Sequence, residues 1–76
     1  MSQHLPALKP AKVLRALQRA GFYIHHIKGS HYYLKHPDNP ELRVTLPFHS
    51  ADLKRRTLTS IIDQAGFSVE EFLKFL

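Results

Sequence analysis

Residues 29–40, GSHYYLKHPDNP, constrain the fold more than any other part of the sequence. Six residues rich in aromatic side chains, His31 to His36, lie between two turn signals, Gly29–Ser30 and Pro37–Asp38–Asn39–Pro40. A run of that length bounded by such residues predicts one strand. Connections this short join antiparallel neighbours. FYIHHIK before the first turn and LRVTLP after the second supply the flanking strands, so a three-stranded antiparallel meander is expected. The alternation in FYIHHIK is imperfect. It puts Phe22, Ile24 and His26 on one face and Tyr23, His25 and Ile27 on the other, with room for a bulge.

Helical patterns flank the meander. Pro10 suits a first helical position, Val13, Leu14 and Leu17 repeat at helical spacing, and Gly21 ends the run. Leu58, Ile61, Ile62 and Ala65 repeat at i, i+3, i+4 and i+7, with Thr57 as the expected cap and Gly66 as the stop. Ser68-Val-Glu-Glu71 is a capping box that opens a last short helix. Residues 1–8 show no period and are expected to be a flexible leader, with residues 9–76 forming one domain. Each long helix has one apolar stripe, and both can bury it on the same sheet face. The expected class is α+β: α-β-β-β-α with helices on one face and a short C-terminal helix. It is the layout of the double-stranded-RNA-binding domain.

A chain of 76 residues has no room for a deep substrate cavity, so an open face must carry its function. Eleven Lys and Arg against six acids give a formal charge of +5, which suits a polyanionic partner. The absence of cysteine excludes disulfides and thiolate chemistry. No stretch is long and apolar enough for a signal peptide or membrane span, so a cytoplasmic protein with no membrane partner is expected.

Alternation on the second and third strands places Tyr32, Leu34, Val44 and Leu46 toward the helices. His31, Tyr33, Lys35 and Arg43 then share the open side. Such a face allows RNA cleavage by attack of a ribose 2′-OH on the adjacent phosphate. Imidazole titrates near pH ~6.5 and can take or give the proton. Lys28, Lys35 and Arg43 can stabilise developing phosphoryl charge, and the backbone at Gly29, Ser30 and His31 can approach a phosphate closely. Lys54, Arg55 and Arg56 precede the expected helix start, a place suited to anions. None of this chemistry needs a metal or cofactor. The six histidines, His4, His25, His26, His31, His36 and His49, lack metal-ligand spacing. His31 and His36 should face opposite ways, as should His25 and His26. Two other readings use the same residues: a non-catalytic RNA-binding module, and a basic interaction domain for an acidic partner.

Ala20-Gly-Phe22, Lys28-Gly-Ser-His31, Leu46-Pro47 with His49, and TLTSIIDQAGFSVEEFL over 57–73 together resemble the HicA-type mRNA interferase toxins. The resemblance runs from about residue 10 to the end. It implies a double-stranded-RNA-binding-like fold, cleavage of mRNA, and control by a HicB-type antitoxin. It also implies that His31 is the catalytic histidine, preceded by the family's Gly29 and Ser30, and that His49 matches a second recurrent histidine. Two positions depart from the family pattern: Arg56 stands where glycine is usual before the helix threonine, and Lys9 where a serine or threonine often caps the first helix. Tyr33, Lys28 and His49 are all candidates to protonate the leaving oxygen.

Overall fold

A computed structural model describes residues 5–76, in the order α1 (Pro10–Arg19), β1 (Tyr23–Lys28), β2 (His31–His36), β3 (Asn39–Pro47), α2 (Arg55–Gln64) and α3 (Val69–Leu73). The three strands form one antiparallel sheet in the order β1-β2-β3. The α+β layout expected from the sequence is the one observed.

The apolar stripes explain the assembly. Val13, Ala16 and Leu17 of α1, and Leu58, Ile61 and Ile62 of α2, bury against Leu34, Val44 and Leu46 of the sheet. Phe72 of α3 is fully buried in the same cluster, and no polar side chain among the described residues is buried. Both long helices lean on β3. The outer strand β1 is therefore left more open, with Tyr23 45% and Ile27 52% exposed.

Helix α1 starts with Pro10 at its N-terminus and ends in a Schellman motif. The Phe22 N–H donates to the Leu17 carbonyl (2.9 Å) and the Gly21 N–H to Gln18 (3.0 Å). The same pair of bonds closes α2, from Phe67 to Ile62 and from Gly66 to Asp63. Gly21 has φ +101°, and a Cβ there would lie 2.6 Å from His36 Nε2. Only glycine permits both the conformation and that approach. His36 Nε2 lies 3.1 Å from the Ala20 carbonyl, and its Nδ1 accepts from the Asp38 N–H. A carbonyl only accepts, so Nε2 is the donor to Ala20 and Nδ1 the acceptor from Asp38. It meets Phe22 edge-on at 5.0 Å. His36 is thus a structural pin on the helix side.

The structure corrects four details. The expected leader covers residues 1–8; residues 1–4 lie outside the described residues, but Leu5 and Leu8 are buried in the core and the Leu53 N–H donates to the Leu8 carbonyl (2.8 Å). Apolar burial at two positions holds residues 5–8 against the body. The second turn is only Pro37–Asp38, and β3 begins at Asn39, three residues before the expected Leu42. Thr57 is not the cap of α2: the helix begins at Arg55, Lys54 occupies the cap position with no side-chain bond, and Arg56 and Thr57 belong to the first turn. Finally, a bulge between Ile24 and His26 changes the facing of the rest of β1.

Candidate functional site

The bulge decides what the open face contains. Ile24 pairs with Leu34 on the helix side, and the next pair is His26 with Tyr33. His25 is the additional residue. From His26 onward every side chain is turned over relative to simple alternation, so His26 joins Tyr33 on the open face. The expectation that His26 shares a face with Phe22 and Ile24 fails for that reason. The expected divergence of His25 and His26 fails with it, since their Nδ1 atoms are 2.9 Å apart. One of those nitrogens must be bare to accept from the other.

Three rows cross the open face. Lys28, His31 and Pro47 form the first, His26, Tyr33 and Thr45 the second, and Tyr23, Lys35 and Arg43 the third. The first begins at the hairpin, where Gly29 has φ +58° and Ser30 does not have a positive φ, the signature of a type II′ turn. The Ser30 carbonyl accepts from Phe48 N–H (2.7 Å), tying the hairpin to the residue that follows β3. His31 is exposed, directly opposite Lys28. In the second row the His26 and Tyr33 rings stack at 4.4 Å and 11°.

Helix α2 adds a wall. His31 lies in an open depression of about 350 Å³ shared with Thr45, Arg56, Thr57, Ser60 and Gln64. Gln64 fixes this wall to the sheet, accepting the Thr45 backbone N–H at 2.9 Å and donating to Ser60 Oγ at 3.4 Å. The Ser60 hydroxyl keeps its own proton for another acceptor. A second depression, of about 400 Å³, is lined by His25, His26, Tyr33, Lys35, Arg43 and Thr45. Thr45 lines both, so the two depressions adjoin there and together make up the trough of the open face. The positive charge of Lys35, then burial and the neighbouring His26, hold the His25 imidazole below its ordinary pKa.

His31 and Arg56 thus line one depression and Tyr33, Lys35 and Arg43 the adjoining one, with Lys28 paired opposite His31 and Gly29 and Ser30 at the hairpin end. The remaining candidates fall in two other places. His49 and Lys54 line a neighbouring depression with Ala51 and Asp52 that shares Pro47 and Thr57 with the first. Arg55 lies on another side of the molecule, beside Leu5, Pro6 and Leu58. Among the described residues no three histidine or acidic side chains converge as a metal site requires, and His4 lies outside them.

A sequence profile described as the HicA toxin of bacterial toxin-antitoxin systems matches residues 10–67. The chain belongs to the HicA toxin family. No curated protein matches it. The matched segment of this HicA-family chain holds all three rows of the open face and the α2 wall. Arg56, expected from the resemblance to depart from the family pattern, is helical and lines the depression containing His31. At the other departure, Lys9 precedes α1 without a side-chain cap. Alternation on the third strand already places Thr45 with Arg43, opposite Val44 and Leu46, whereas His25, His26, Ser60 and Gln64 were not singled out from the sequence for the open face. Two histidines between Ile24 and Ile27 were the available signal, because both isoleucines can face the helices only if one histidine is additional.

Proposed function

We propose that this chain is the toxin of a toxin–antitoxin pair and acts as an endoribonuclease on mRNA, with His31 as the catalytic acid–base group. The observation that carries this reading is the exposed His31 imidazole in a basic trough, opposite Lys28 and beside Arg56. His31 takes the proton of a ribose 2′-OH as O2′ bonds to phosphorus. Lys28 and Arg56 stabilise the charge that develops on the phosphoryl oxygens. The P–O5′ bond then breaks, leaving a 2′,3′-cyclic phosphate, and O5′ takes a proton from a donor in the trough. Lys28, in the same row as His31, is better placed for that than Tyr33, one row away, or His49 in the neighbouring depression. The nucleophile is the substrate's own hydroxyl, so the reaction proceeds in EDTA.

The partner that restrains it is a HicB-type antitoxin whose acidic groups cover the trough. Comparing wild type with His31→Ala tests the proposal. Wild type should cut RNA in EDTA and slow growth when induced alone, with relief by the co-expressed partner. His31→Ala should bind RNA but cut it at least ~100-fold more slowly. Equal cutting by both removes His31 as the catalyst, and binding with no cutting by either makes the chain a non-catalytic RNA-binding module.

A further inference from the structure

The second row holds two stacked rings and then stops. His26 and Tyr33 lie parallel at 4.4 Å, and the next position across the sheet is the short side chain of Thr45. Tyr33 and Thr45, cross-strand neighbours, both line the depression of about 400 Å³. On either side along the strands are the His31 row and the Lys35–Arg43 row, each about 7 Å away at two residues of strand rise. A flat aromatic group above Thr45 would be a third layer on the two rings. Its attached phosphates would then fall toward His31 on one side and toward two cations on the other.

We propose that this place is a nucleobase slot: an unpaired base of the RNA stacks on Tyr33 above Thr45, next to the phosphate at His31. The inference rests on the endoribonuclease reading for its substrate, and it deepens that reading by making the substrate single-stranded at the cut. A base held in a Watson–Crick duplex is already stacked on its own strand and paired to the other, and cannot enter. Base–aromatic stacking tolerates any base, so the slot selects for an unpaired nucleotide more than for a sequence. Lys35 and Arg43 take the phosphate on the far side of the base. The His25–His26 contact keeps the lower ring of the stack in place.

The test uses the full chain and a short 2′-O-methyl oligouridylate carrying one 2-aminopurine, which has no free 2′-OH and stays intact. Binding is followed by anisotropy and stacking by quenching of the 2-aminopurine, with circular dichroism melts confirming that each variant folds. Wild type should bind the single strand with quenching, and the fully paired duplex more weakly. Tyr33→Ala, which removes the platform, and Thr45→Phe, which fills the slot with a ring, should each weaken single-strand binding about tenfold and abolish the quenching. Tyr33→Phe should retain both, which separates stacking from any use of the phenol as an acid. Unchanged affinity and quenching in Tyr33→Ala and Thr45→Phe would overturn the slot. So would duplex binding as tight as single-strand binding, or no binding to either RNA. Cleavage of ordinary RNA by wild type and His31→Ala is read separately, so the slot and the catalytic assignment can fail independently.

Discussion

His25 shows how one residue changes a face. As the additional residue of a bulge it brings His26 over to Tyr33 and settles beside Lys35. The charge of Lys35 is the first cause of its lowered pKa, ahead of burial and His26. The fold therefore favours neutral His25. That contribution to stability is fully present above the ordinary imidazole pKa and is lost as the pH falls through the lowered one. Lys35→Gln should move the His25 midpoint, followed by NMR, back up toward the usual histidine value. An unmoved midpoint would mean that Lys35 is not the cause. Facing at His31 was legible in the sequence because β2 alternates regularly from one turn to the next. Facing at His26 was not, since period-two reasoning cannot say which of two adjacent histidines is the additional one.

At the scale of elements, local chemistry was legible where side chain and backbone agree. Ser68 caps α3 as expected: its Oγ accepts from the Glu71 N–H at 3.1 Å, and Glu71 Oε1 accepts from the Ser68 N–H at 2.8 Å. The Ser68 backbone N–H first, and then the Ser68 side chain, hold the Glu71 carboxyl below its ordinary pKa. Ser68→Ala should cost about 1 kcal/mol in urea denaturation, and the Glu71 pKa should rise with it. A variant as stable as wild type would show that burial of Phe72 alone holds α3. The start of α2 was misread because threonine is a strong capping residue and Thr57 precedes the apolar repeat. The observed helix instead begins two residues earlier and places Arg56 in its first turn. Contacts between elements, such as Gln64 with Thr45, leave no mark on either segment's own pattern.

The molecule as a whole is two layers in a slab of 35 × 28 × 18 Å. Its depressions are accordingly open troughs, and a polyanion can lie along one without a large rearrangement. The rows of the open face supply Lys28, Lys35 and Arg43 from three strands, with Arg56 from α2. RNA affinity should therefore fall steeply as salt rises. Neutralising Arg43 or Arg56 should each reduce the slope of log K against log[salt] by about 0.7 for a single strand. A slope unchanged in both variants would place the polyanion on another surface. The excess of basic residues suits such a partner, but composition alone does not say which strands and which helix carry the cations.

The order β1-β2-β3 leaves the outer backbone of β1 without a neighbour among the described residues, an invitation for strands of other copies to join the sheet. The bulge interrupts that margin in its middle, and Lys28 adds charge at its end. A crooked, charged margin is a poor template for stacking chain upon chain. The same irregularity that supplies His26 to the trough thus also helps a small, basic protein with an open sheet remain separate from its copies at high concentration.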